Sequence, residues 1–264
     1  MKIENKSVII SGASSGIGRA VALQLSKFSN RLWLVGRNQE ALEEVAALVR
    51  KNGSVCEWSV TDVQDPVAVE ESFQLFKEKF HSCDMLFLSA GFAELTNVEK
   101  LNFQFARAMM ETNYFGCLHW ILAALPEMQK RNQGIIAAVS ALASYRGLPQ
   151  GAFYGASKAA LSNCLESLRI DLQRQGVQVS TILPAFVDTP MARKFDYAMP
   201  NVWSAEKAAK YIVKQIEKGK GEIAFPWSLL FLMKCVRALP EFIFDPLFTK
   251  ISAEAHKKGN SLTR

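Results

Sequence analysis

Histidine is scarce in this chain, and its cysteines are unpaired in sequence. Three histidines (His81, His119, His256) and five scattered cysteines (Cys56, Cys83, Cys117, Cys164, Cys235) occur in 264 residues, with no CxxC among them. That pattern offers no metal site and reads as the reduced thiols of a cytoplasmic protein. The opening MKIENKSVII contains an apolar stretch of only four or five residues, too short for the core of a signal peptide. No block of Lys and Arg forms a nucleic-acid footprint, so nucleic acid is not an expected partner. The net charge of +6 is modest and suits an anionic cofactor or an anionic membrane surface. No Pro/Gly/Ser-rich linker and no internal repeat divides the chain, which argues for one domain.

What is present is an alternation of short apolar runs and longer amphipathic ones. Strands are expected at 7–12, 31–36, 54–60, 84–91, 134–140, 177–185 and 222–226. Helices are expected at 16–28, 38–53, 65–80, 101–131, 152–175 and 204–221. This rhythm predicts an α/β fold, a Rossmann-type doubly wound parallel sheet of about seven strands with helices on both faces. Residues 1–226 form the expected dinucleotide-binding and catalytic unit. Residues 227–264 are a C-terminal extension whose first part, WSLLFLMKCVRALPEFIFDPLF (227–248), is rich in Leu and aromatics. It is too short and too charged to span a bilayer. It can pack on its own domain, form an interface or lid, or meet a lipid surface.

Two stretches carry chemistry. In AVSALASYRGLPQGAFYGASK (138–158), Tyr154 and Lys158 are spaced i, i+4 and would stack on one helix face. A lysine beside a phenol favours the phenolate, which points to acid–base work. Ser140, Ser144 and Ser157 compete to hold the substrate oxygen beside that pair. The second stretch, Ser11-Gly12-Ala13-Ser14-Ser15-Gly16-Ile17-Gly18, lies at the first strand-to-helix turn. Glycines there permit a tight turn and close backbone approach of a pyrophosphate to the helix N-terminus. At the end of the second strand, Gly36-Arg37 stands where NAD enzymes commonly carry an acidic residue. The guanidinium can pair with a 2′-phosphate, so NADP(H) is favoured over NAD(H).

The ordered set SGASSGIG, Asp62, SAG (89–91), Asn113, Tyr154xxxLys158 and Pro184-Ala185 followed by Thr189 resembles the short-chain dehydrogenase/reductase family over residues 5–226. The resemblance implies an NAD(P)-dependent oxidoreductase. It implies that Gly12, Ser14, Ser15, Gly16, Ile17 and Gly18 cradle the cofactor. Asp62 and Val63 would then meet the adenine, and Ala90 and Gly91 the adenosine ribose. Lys158 would hold the nicotinamide ribose and tune Tyr154, which exchanges a proton with the substrate oxygen. Asn113 would kink its long helix and hold a water. Pro184 would lie beside the nicotinamide, with Val187 and Thr189 fixing its carboxamide.

One departure bears on catalysis. The family's substrate-holding serine lies thirteen residues before the tyrosine, and that position is Ala141 here. Ser140 is the first substitute and Ser144 the second. Three functions are consistent with this pattern. The leading one is an NADP(H)-dependent enzyme reducing a carbonyl, or oxidising the alcohol, on a small hydrophobic substrate. The others are a dinucleotide-binding protein with lapsed catalysis and a membrane-peripheral protein working through 227–248. The resemblance also implies a homodimer or homotetramer. Leu118, Ile121, Leu122, Leu161, Leu165 and Leu168 are candidate contacts, or else sheet-facing core.

Overall fold

A computed structural model describes residues 2–96, 98–195 and 199–250. The last part of the expected extension, 251–264, lies outside the described residues, and so does His256. Seven strands build the main sheet. They are β1 (Ser7–Ser11), β2 (Arg31–Gly36), β3 (Val55–Val60), β4 (Met85–Leu88), β5 (Gly134–Val139), β6 (Val177–Pro184) and β9 (Glu222–Phe225). Their spatial order is β3-β2-β1-β4-β5-β6-β9, and every neighbouring pair is parallel. Two short strands, β7 (Val187–Asp188) and β8 (Trp203–Ser204), pair with each other outside it.

The sheet is covered on both faces because its strands are apolar on both sides of the pleat. Val8 and Ile10 of β1 join one core cluster with residues of α1 (Gly16–Leu25), α2 (Gln39–Lys51) and α7 (Ala205–Glu217). Ile9, between them, points into the other cluster with α3 (Pro66–Phe80), α5 (Gly116–Lys130) and α6 (Ala152–Leu172). Chain order reverses between β1 and β4, whose carboxyl ends therefore open a crevice where open parallel sheets bind ligands.

The structure corrects two expectations and decides one pair of alternatives. The fourth strand stops at Leu88, and residues 89–91 already belong to the loop bordering the crevice. The helix expected over 101–131 is two helices, α4 (Phe103–Met110) and α5, joined by a π-helical turn at Glu111–Phe115. Among the candidate interface residues, Ile121, Leu161 and Leu165 are buried in the monomer's own core, whereas Leu122 is exposed.

Described residues of the C-terminal extension contact this domain, through Arg146 and the cleft. Helix α8 (Trp227–Ala238) follows β9 directly, and residues 241–250 are helical again. No helix among the described residues is long and apolar enough to cross a membrane.

Candidate active site

The loops at the carboxyl ends of the strands enclose a cleft of about 740 Å³. One end is the β1–α1 turn. Gly12 there adopts φ +68°, and a Cβ on it would sit 2.7 Å from the Ala90 nitrogen. Only glycine allows this crossing of the turn with the β4 loop. Ser89 fastens the same junction, its Oγ donating to the Ser11 carbonyl at 2.7 Å. The Ser15 side chain does not cap α1, and the helix has no acidic residue in its first turn. Its leading amides, which lack partners within the helix, thus face the cleft at a positive dipole end.

Ser14, Gly36 and Arg37 gather at one corner of the cleft, where a Cβ on Gly36 would lie 3.4 Å from Ser14 Oγ. Arg37 Nη1 stands 3.7 Å from Asp62 Oδ2, both side chains being largely open to water. The other oxygen of Asp62 accepts from the Gln64 amide at 3.0 Å, so this carboxylate also orders its own turn. Val63 is buried and accepts through its carbonyl from His119 Nδ1 at 2.9 Å. Ala90 and Gly91 line the middle of the cleft with Pro184, Val187 and Thr189. The Thr189 methyl closes over the glycine turn, 3.2 Å from where a Cβ on Gly16 would stand. Ile17 and Gly18 complete that end.

At the other end, α6 presents Tyr154 and Lys158. The Lys158 ammonium lies 5.9 Å from the Tyr154 ring centroid and donates to the Val139 carbonyl at 2.7 Å. Burial pushes this ammonium down from its ordinary 10.5 to about 8, with only the Cys117 sulfur opposing the shift. Asn113, wholly buried in the π-helical turn, donates to the Phe92 carbonyl at 2.8 Å and accepts from the Phe92 amide at 2.7 Å. It also donates to Ser157 Oγ at 2.9 Å, and Ser157 donates to the Tyr154 carbonyl at 2.8 Å. This side chain bridges the β4 loop and α6. The extra residue of a π turn re-aims a helix face, which lets Asn113 reach both partners.

Ser140 requires a correction. It borders the cleft, but its hydroxyl donates to the Lys158 carbonyl at 2.9 Å and pairs with Ser162 Oγ at 2.7 Å. Ser162 in turn donates to Ser144 Oγ at 3.2 Å. Both substitutes for the expected serine are thus engaged with α6. Successive residues at a strand end point to opposite sides. Ser140 takes the helix side, and Ala141 presents a methyl group to the cleft. Ser157, the third serine considered for the substrate oxygen, has its hydroxyl engaged with the Tyr154 carbonyl and with Asn113.

The far wall of the cleft is apolar and had no motif to reveal it. Leu142, Leu148, Met191, Phe195, Met199, Leu229, Leu232, Met233 and Phe248 line it. The residues around the glycine turn fit a dinucleotide by their backbone approach and free helix amides. The rest of the lining is mainly apolar, with Glu94 and Gln150 among it.

These features define a dinucleotide-binding α/β oxidoreductase class, and comparisons with known proteins agree. The family described as short chain dehydrogenase matches residues 6–199. An uncharacterized oxidoreductase of Myxococcus xanthus (strain DK1622) is 33% identical over 240 residues, covering 91% of this chain and 95% of that protein. A 3beta-hydroxysteroid dehydrogenase of Mediterraneibacter gnavus is 31% identical over 198 residues, covering 73% of this chain and 70% of that one. In fold, the chain is similar to a short chain dehydrogenase/reductase from Burkholderia phymatum solved in complex with NAD. That likeness has a TM-score of 0.82 at 22% identity and covers 89% of this chain and 93% of that one. It is similar too to an alcohol dehydrogenase from Thermococcus sibiricus complexed with 5-hydroxy-NADP. Here the TM-score is 0.76 at 24% identity, over 83% of this chain and 95% of that one. The chain belongs to the short-chain dehydrogenase/reductase family of NAD(P)-dependent oxidoreductases.

Proposed function

We propose that this protein is an NADP(H)-dependent oxidoreductase that interconverts a carbonyl and an alcohol on a small hydrophobic substrate, with Tyr154 as the acid–base residue. One observation carries the reading. The Tyr154–Lys158 pair, braced by Asn113 and Ser157, stands where the glycine-turn end of the cleft meets its apolar chamber.

The nicotinamide, when bound, supplies or accepts the hydride. The chain's own work is to bind, orient and move one proton. Gly12 through Gly18 hold the pyrophosphate on the α1 amides, while Val63, Ala90 and Gly91 flank the adenosine and Pro184, Val187 and Thr189 flank the nicotinamide. Arg37, with Ser14 beside it, holds a 2′-phosphate, and the small Gly36 leaves room for that group. Asp62 keeps the guanidinium in place and remains near the adenine.

In reduction Tyr154 gives its phenolic proton to the substrate oxygen, and in oxidation it takes one back. The nearby Lys158 ammonium favours the phenolate left behind. Asn113 fixes the β4 loop to α6, so the two ends of the cleft keep their register. Because Ala141 adds no hydroxyl, Tyr154 is the principal hydrogen-bond donor to the substrate oxygen. One such donor is worth about 2.7–4 kcal/mol of transition-state stabilisation, so the enzyme trades rate for an apolar site.

The tail supports delivery of the substrate from a lipid surface. Trp227, Phe231, Phe242, Ile243 and Leu247 are exposed on it, and Leu232 both lines the cleft and reaches solvent. The exposed Leu122 and Ile170 on α5 and α6 support a homodimer or homotetramer through those helices.

The test is cofactor-coupled turnover by the purified full chain. Long-chain aldehydes, ketones, 3-oxoacyl thioesters and steroids are offered with NADPH and with NADH. The expected result is consumption of NADPH, faster than NADH, with at least one apolar carbonyl. Tight NADPH binding without turnover of any of them would instead support a lapsed enzyme.

A further inference from the structure

Arg146 lies in the loop between β5 and α6, outside the Tyr154–Lys158 pair and the glycine turn. Its side chain reaches 90 residues along the chain to the end of α8. Nη1 donates to the carbonyls of Val236 at 2.8 Å, Arg237 at 3.2 Å and Leu239 at 2.5 Å. Carbonyls in the last turn of a helix have no partners within it, and a cation there is favoured by the helix dipole. The guanidinium also lies over the Phe244 ring, its carbon 3.7 Å from the ring centroid. Phe244 stacks on Phe248 with centroids 4.2 Å apart, and Phe248 lines the cleft.

One side chain therefore fastens both tail helices to the loop that carries Ala141 and Ser144. Between residues 241 and 250, only Phe244 and Phe248 are withdrawn from solvent, and Arg146 and the cleft are what they meet. In α8, Leu229 and Met233 face the cleft one turn apart, and Val236 continues that face into the core. The reciprocal contact comes from Arg237, whose guanidinium carbon lies 5.7 Å from the Tyr145 ring centroid.

We propose that Arg146 is a positioning residue for substrate selection: it holds α8 and residues 241–250 as the outer wall of the substrate chamber. The enzyme's preference for extended apolar substrates then depends on it. This rests on the oxidoreductase reading for its kinetic consequence but not for its binding consequence. A short carbonyl compound reaches Tyr154 without touching the tail. A long one must lie along Leu229, Met233 and Phe248. Lysine cannot reproduce the clamp fully, because its ammonium lacks the guanidinium face that lies over Phe244.

The test compares the wild-type full chain with Arg146→Met and Arg146→Lys, each checked for folding by its thermal transition. Hexanal and dodecanal are the substrates with NADPH. Dodecanol and hexanol, titrated calorimetrically with NADP+ present, give affinities without turnover, and amide hydrogen exchange reports on 227–250. Charged hydrogen bonds of this kind support roughly a tenfold to hundredfold effect. In Arg146→Met the ratio of kcat/KM for dodecanal over hexanal falls about tenfold or more. The loss appears in KM, dodecanol affinity falls in parallel, and exchange in 227–250 speeds up. Arg146→Lys is intermediate. An unchanged chain-length ratio together with unchanged dodecanol affinity overturns the proposal. So does a parallel loss for both chain lengths, which would mark Arg146 as a general stability residue. If no aldehyde is reduced by the wild type, the oxidoreductase reading fails. The alcohol titrations and the exchange measurement still decide the role of Arg146.

Discussion

Lys158 and Tyr154 meet across one turn of α6, the ammonium 5.9 Å from the ring centroid and anchored at 2.7 Å on the Val139 carbonyl. The ammonium donates to that β5 carbonyl, and burial makes its charge costly. In the proposed function a bound ribose would offer it hydroxyl acceptors.

The burial of Lys158 has a measurable pH signature in the cofactor-free protein. Its pKa is about 8 when folded against 10.5 ordinarily, so between these values the unfolded chain holds the extra proton. The contribution of this group to stability is therefore complete above about 10.5 and is lost as pH falls through about 8. Buried thiols act oppositely: Cys56 is pushed up to about 12 and Cys117 to about 11, so their contributions decline as pH rises above 9.0. Subtracting Lys158→Met from wild type isolates the lysine. In urea unfolding, the wild type should gain on the variant by a few kcal/mol between about pH 7.5 and about pH 10. A constant difference would mean that the ammonium is not buried in the free protein.

In the proposed function, cofactor choice depends on Arg37. Arg37→Ala should raise KM for NADPH by roughly tenfold to hundredfold, the worth of a charge-assisted contact to a phosphate, while changing KM for NADH little. Steady-state kinetics with both cofactors checks this. Equal effects on the two would mean that Arg37 does not read the 2′ position.

Ala141 offers a gain-of-function test. It follows β5 with extended backbone at φ −162° and faces the cleft, so a serine there needs no backbone change. Since removal of one oxyanion donor costs about 10²–10³ in kcat, Ala141→Ser should raise kcat by about tenfold or more on the best apolar carbonyl. An unchanged or lower kcat would indicate that the substrate oxygen is held by another group.

Much of this arrangement is legible in the sequence, and the reason is local. The central strands β1, β2, β4 and β5 are buried on both faces, so they appear as continuous apolar runs, and the amphipathic helices alternate with them. The glycine turn and the i, i+4 pair are likewise short-range patterns. The π-helical turn at Glu111–Phe115 was hidden because one extra residue hardly disturbs helical periodicity. The direction of Ser140 was hidden because it depends on Ser162, 22 residues away. The tail resisted assignment for a different reason. Its apolar residues occur on every side, so no sequence moment distinguishes Met233 and Phe248, which line the cleft, from the exposed Trp227 and Phe242. Arg146, 90 residues away, meets that tail at the end of α8, a contact that no local pattern reveals.

The central claim is that Tyr154 moves the proton while the rest of the cleft binds and orients. The most direct measurement is Tyr154→Phe, assayed for NADPH-coupled reduction of the best apolar aldehyde and, separately, for NADPH affinity by fluorescence. Positioned acid–base groups contribute about 10²–10⁴ in rate. The account predicts a fall in kcat of at least about a hundredfold with NADPH affinity within about threefold of wild type. Turnover that survives the loss of the phenolic hydroxyl would contradict it.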